Sequence, residues 1–152
     1  MLLLLALLIG IVAGLRAMTA PAAISWAAHL GWLHLDGSWL AFLGYRFTPW
    51  IFSALALLEL VSDQLPSTPS RKVPPQFGAR LVLGGLSGAA IGISGGTWIA
   101  GLVAGVVGAV IGTLGGAALR ARLAAAFGSD RPAALIEDVI AVGGAVLIVL
   151  AL

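Results

Sequence analysis

The sequence predicts an all-α membrane protein, a polytopic transmembrane helical bundle of about six segments, with five as the alternative. Three observations lead there. Of 152 residues, 61% are hydrophobic and 9% are charged, whereas a soluble domain carries about 25% charged residues. Mean hydropathy is +1.11, so there is too little polar surface to cover a core in water. The 21 glycines agree, because glycine is commoner in transmembrane helices than in soluble ones. The chain reads as a single integral membrane domain, 1–152. It has no cysteine, which excludes disulfides and thiolate metal sites. A net charge of +2 speaks to topology, and no nucleic-acid partner is expected.

The elements follow in order. Leu2 to Gly14 is an unbroken apolar run that ends at Arg16. It has no basic stretch before it, so it reads as a membrane segment and not as a signal peptide. Thr19 and Pro21 then look like a helix start, with threonine as cap and proline in the first turn. That second segment, "TAPAAISWAAHLGWL", runs to about Leu33. One continuous helix over both would be longer than a bilayer is thick. A break or hairpin around Arg16–Pro21 is therefore expected. Trp32, Trp39, Tyr45, Arg46 and Trp50 resemble an aromatic belt at a membrane interface. Thr48 and Pro49 repeat the capping signal and open "PWIFSALALLELVSD". After a proline-stiffened stretch come "ARLVLGGLSGAAIGISGG" and "TWIAGLVAGVVGAVIGTLGGAAL", two crossings joined by a Gly-rich turn. "RARLAAAFGSDRP" reads as a second polar loop, and "PAALIEDVIAVGGAVLIVLAL" as the last crossing.

Basic residues set the expected orientation. Arg71, Lys72 and Arg80 lie in one polar stretch, and Arg120, Arg122 and Arg131 in the other. Two crossings separate them, so the positive-inside rule makes loops 64–79 and 120–131 cytoplasmic, in a bacterial inner membrane. If residues 1–33 cross twice, Arg16 joins that side. If they cross once, Arg16 is stranded at depth, where a charge costs roughly 2.5–3.5 kcal/mol even on lenient insertion scales. Six segments are therefore preferred to five.

Two patterns carry the site predictions. The first is glycine at every fourth position: Gly84, Gly88, Gly92 and Gly96, then Gly101 and Gly105, then Gly108, Gly112 and Gly116. This spacing lines one helix face with backbone and predicts a tightly packed helical hairpin. A glycine-lined pore or a subunit interface is the functional alternative. The second is a set of charges at the membrane depth of one side. Glu59 and Asp63 share a helix face, Glu137 and Asp138 lie early in the last crossing, and Arg16, Arg80 and Arg131 are at similar depth. The structural interpretation is a set of ion pairs that fix helix register. The functional one is a polar cavity whose carboxylates carry protons or bind a cation while the arginines attract an anion. A metal there would be a hard cation. His29 and His34 fall on the far side, and no role is assigned to them.

At these residues the chain resembles a bacterial family, domain of unknown function 4126. The stretches that carry the resemblance are "GLRAMTAPAAISWAAHLGWL", "LALLELVSDQLPSTPSRKVPPQFGARLVLGGLSGAAIG" and "RPAALIEDVIAVGGA". The resemblance implies a small integral membrane protein and supplies no substrate, cofactor or catalytic residue.

Three functions compete. The first is a small homo-oligomeric transporter or channel for a small solute or ion. The second is a non-transporting membrane scaffold. The third is a metal-dependent enzyme acting on a lipid phosphate, with the acids on the metal and Arg16, Arg71, Lys72 or Arg80 on phosphate. No phosphate loop, nucleophile elbow or HExxH pattern supports the enzyme. The order of preference is transporter, scaffold, enzyme.

Overall fold

Arg16 ends the first helix, and the chain turns back there. The computed structural model describes residues 2–35, 37–62, 74–128 and 130–152, with the backbone alone for 62, 74, 75, 130 and 131. Among these residues every regular element is helical. α1 is Leu2–Leu15 and α2 is Thr19–His29; a 3₁₀ turn follows at Ala41–Gly44. α3 is Thr48–Ser62, α4 Pro74–Ile93, α5 Trp98–Phe127 and α6 Asp130–Leu150. Three stretches are long and apolar enough to cross a membrane: Gln76–Ile93, Trp98–Phe127 and Pro132–Leu150. By length and composition these three point to a membrane protein. α1 and α3 are apolar but shorter. At 1.5 Å per residue α1 is about 21 Å long and α2 about 16 Å, against a hydrocarbon core of about 30 Å.

α1, α4 and α5 pack together with almost no side chains between them. A methyl group placed on Gly84 would stand 2.8 Å from Ala109 Cβ and 2.9 Å from Gly105 O. One on Gly88 would overlap Gly101 O, and one on Gly92 would stand 2.6 Å from Thr97 O. Rising numbers on α4 meet falling numbers on α5, so these two helices are antiparallel. α1 meets α5 the other way: Gly10 lies on Gly105, Gly108 on Leu7 and Ile11, and Gly14 on Ala109, Gly112 and Thr113. α1 and α5 are therefore parallel. The glycines of α5 serve two neighbours, Gly101 and Gly105 facing α4, and Gly105, Gly108 and Gly112 facing α1. Gly116 is buried as well. Gly96 does not extend the stripe. It lies in the α4–α5 turn at φ +72°, where a Cβ would meet nothing within 4 Å; a left-handed turn, not close packing, calls for glycine there.

α2 returns along α3. Its first turn lies against Glu59, near the end of α3, and Trp26 lies against Trp50 and Ser53, near the start. The two helices are thus antiparallel. α1 and α2 splay apart from the turn, α1 going to α4, α5 and α6, and α2 to α3, α4 and α6. Their far ends meet the same end of the molecule. Leu2 reaches Gly95, Trp39 stacks edge-on with Trp98 at 5.5 Å between ring centroids, and Trp32 lies beside Val149 and Leu152. Trp32, Trp39, Trp50 and Trp98 are exposed there. Beneath them Leu33, Leu35, Leu40 and Leu43 fold back into the core.

Three boundaries differ from the sequence reading. The stretch 120–131 is not a loop: α5 runs on to Phe127 and α6 starts at Asp130. "RARLAAAF" is built of strong helix formers, and Gly128, at φ +69°, makes the left-handed stop. Similarly, residues 74–79 of the expected loop 64–79 are helical, with Pro74 and Pro75 in the first turn, where a missing N–H costs nothing. Finally, neither threonine acts as a helix cap. No side-chain bond caps α2, and Thr48 donates backwards to Phe42 O at 2.7 Å, holding the 3₁₀ turn against α3.

Candidate functional site

A chain that reverses inside an apolar protein leaves two helix ends bare. The last carbonyls of α1 and the first N–H groups of α2 have no partner within their own helices. Both ends are satisfied by charges from other helices. Arg80, 3% exposed on α4, donates from Nη1 to Gly14 O at 2.8 Å. Glu59, on α3, accepts from Ala17 N at 3.0 Å with Oε2 and from Met18 N at 2.9 Å with Oε1. The signs match the helix dipoles, a cation at the carbonyl end and an anion at the amide end.

Between these ends sits Arg16, fully buried. Its Nε donates to Asp138 Oδ1 at 2.5 Å, and Nη2 pairs with the same oxygen. Nη1 donates to Leu15 O at 3.1 Å and to Glu137 Oε1 at 3.4 Å. One guanidinium thus bridges two consecutive acids of α6, using the planar fork that lysine lacks. Arg120, from α5, lies 3.8 Å from Glu137 Oε2. The described cluster therefore sets three arginines against three carboxylates, drawn from four helices and the turn itself. Arg80 is six residues into α4 and Glu137 seven into α6, about two turns inside the helix starts.

Arg16, Glu59, Arg80, Glu137 and Asp138 therefore meet at one level. They do so in two groups: Glu59 serves the α2 amides, while Glu137 and Asp138 serve Arg16. Asp63, Arg71 and Lys72 lie outside the described residues. Among the described residues no three His, Asp or Glu side chains stand close enough to hold a metal ion. Sequence reasoning missed Arg120 as a partner because it placed that residue in a loop. It also missed that main-chain groups at positions 14, 17 and 18 would be half of the site. The break at Arg16 was itself the signal for those groups.

The Glu59 clamp gives a direct expectation. Glu59→Ala removes two acceptors from buried N–H groups, and losing a helix cap costs about 0.5–2 kcal/mol. Amide exchange at Ala17 and Met18 should speed up in this variant, with the α4–α5 amides unchanged. Equal acceleration in both regions would mean that Glu59 supports the whole fold and not the turn.

Comparison with known proteins returns no matching family model, no matching curated protein and no matching solved structure.

Proposed function

We propose that the protein is a small oligomeric transporter or channel of the bacterial inner membrane, moving a small solute or ion past the charged turn between α1 and α2. One observation carries the reading. Two helix ends face each other inside the protein, each held by a charge from a different helix, and in this reading they lie at membrane depth. Transporters place their sites at such discontinuous helices, where free amides attract anions and free carbonyls attract cations. Charges inside a membrane also cost too much to be kept without use. In this reading α1 and α2 are two short segments entering from one face, giving six segments in all. Arg16, Arg80, Arg120 and Arg122 then share the cytoplasmic side. The apolar side chains exposed along α3 and α6 are faces for lipid and for further copies of the chain.

The test is flux in proteoliposomes, run with protons, alkali cations and small anions. Glu59→Gln and Asp138→Asn keep shape and remove charge. Each is expected to lower flux by roughly tenfold or more, a barrier change of about 1.4 kcal/mol, in protein that elutes as the parent does. Parent-like flux in both variants would remove the cluster from the pathway.

The scaffold reading has one observation in its favour: each described charge of the cluster already has a partner in the protein. Under that reading the same substitutions lower stability, and the parent protein shows no flux to lose.

A further inference from the structure

Every α-helix except α3 is wedged among several others. α3 leans on α2, with the 3₁₀ turn at its foot, and touches the other described elements no more than marginally. Its two ends are held differently. At the start, Pro49 is fully buried, Phe52 packs against the core, and Thr48 donates to Phe42 O. Further along, Leu55, Leu57, Leu58 and Val61 are exposed, and no residue from Trp50 to Val61 is buried. Ala56, Leu57 and Leu60 border open space shared with α2 and α6. The ties beyond the foot are polar. Trp26 Nε1 donates to Ser53 Oγ at 2.7 Å, and Glu59 accepts from the amides of Ala17 and Met18.

We infer that α3 is a hinged arm: it pivots at Thr48–Pro49, and its free end carries Glu59 on and off the amides of Ala17 and Met18. In a bilayer no hydrophobic force draws one helix to another, because lipid chains are as apolar as leucine. Helices are held there by close packing and by hydrogen bonds. α4 and α5 use glycine to bring their backbones together, whereas α3 contains no glycine. Its adhesion therefore comes down to the Ser53 and Glu59 bonds and to loose side-chain contact. Hinges need only a few residues at the end of an element, and the buried Pro49 with the Thr48 bond fixes that end. From Pro49 to Glu59 the arm is about 15 Å long, so a swing of about 20° moves Glu59 by about 5 Å. That is enough to break both of its hydrogen bonds. The swing also changes the charge of the turn. Docked, three arginines face three carboxylates among the described residues. With Glu59 withdrawn they face two, and two amides beside Arg16 lose their acceptor. The arm thus switches the turn from a balanced cluster to one that attracts anions. The inference rests on how α3 packs and does not depend on transport.

The test is double electron–electron resonance in phospholipid nanodiscs that hold one copy each. The chain has no cysteine, so spin labels attach only where cysteines are introduced. Ile111→Cys on α5 is the common reference. Leu58→Cys reports the free end of the arm, Ile51→Cys its foot, and Val146→Cys the body on α6; all four positions are exposed. The Leu58–Ile111 pair is expected to show two distances, and the Ile51–Ile111 and Val146–Ile111 pairs one each. Glu59→Gln should raise the second Leu58 population roughly tenfold, because a neutral amide replaces a charged acceptor of two bonds. Trp26→Phe should raise it roughly threefold, the average worth of one hydrogen bond between helices in a bilayer. A single Leu58 distance in the parent and in both variants overturns the proposal. So does equal spreading at Ile51 and Val146, which would mean that the whole bundle loosens. If the second distance vanishes in discs that hold several copies, one of them labelled, a neighbouring chain pins α3 and the proposal also falls. Should Glu59→Gln fail to fold, Trp26→Phe and the parent decide the matter.

Discussion

Arg16→Met is expected to unfold the turn and to be the most destabilising single change to a side chain in this protein. The substitution removes the guanidinium but keeps a long side chain. Glu137, 4% exposed, then loses its 3.4 Å partner, and Asp138 loses its closest one. Breaking a buried ion pair from one side costs about 3–5 kcal/mol, because the buried charge left behind is undercompensated. That is a large part of the roughly 5–15 kcal/mol that holds a typical domain together. The measurement is unfolding by heat or denaturing detergent, followed by circular dichroism in a mild detergent. The informative variant is the triple change Arg16→Met, Glu137→Gln and Asp138→Asn. With both carboxylates neutral, and only the partly exposed Arg120 losing its 3.8 Å contact to Glu137, it should recover most of the loss. If the triple variant is as unstable as Arg16→Met alone, packing of the arginine stem, not charge pairing, holds the turn.

The second large effect is expected at Gly105. This residue lies where α1, α4 and α5 come together. A methyl group there would overlap Gly84 O on α4, and the Gly10 position of α1 lies against the same stretch of backbone. Neither obstacle is the end of a flexible side chain, so one helix must move away. Overpacking of this kind costs about 1–3 kcal/mol, and more where nothing can give. Gly105→Ala should therefore lower the unfolding midpoint clearly, and Gly105→Leu should abolish folded protein. Gly115 and Gly143 are the controls. A Cβ on either meets nothing within 4 Å, and alanine favours helix over glycine by about 0.5–1 kcal/mol. Gly115→Ala and Gly143→Ala should be neutral or slightly stabilising. Equal loss in all three alanine variants would show that backbone proximity at Gly105 is not what matters.

These two sites also show which features could be read from the chain. The break at Arg16 was legible because one helix through it would outrun the bilayer, and the cost of a charge at depth then favoured two short segments over one. The partners of Arg16 could be listed, since few acids lie at that depth, but not assigned. Whether Glu59 would face Arg16 or the amides of Ala17 and Met18 depends on how α3 is rotated, and local sequence does not set that rotation. The glycine spacing of α4 and α5 implied close packing, yet the neighbour of Gly108 and Gly112 is α1. Gly10 and Gly14, also four apart, were the legible sign of this. The misplaced boundaries at 120–131 share another cause. Polarity was taken to mean loop, whereas a helix that outruns the bilayer turns polar without ending. α5, with 30 residues, is about 45 Å long against a core of about 30 Å.

The distance along the chain between Arg16 and its acids bears on how the protein is made. Arg16 and Asp138 are 122 residues apart. At a synthesis rate of about 5–20 residues per second, Arg16 exists for roughly 6–24 s before its partner does. During that interval the earliest segment holds a guanidinium that no acid of α6 can yet neutralise. The Arg16 ion pairs that close the α1–α2 turn can therefore form only once α6 has been made. A chain stopped after Phe127 should remain at the membrane surface or in the hands of the insertion machinery, and be degraded as an orphan. Arrival of α6, not synthesis of α1 and α2, is then the step that completes the charged turn.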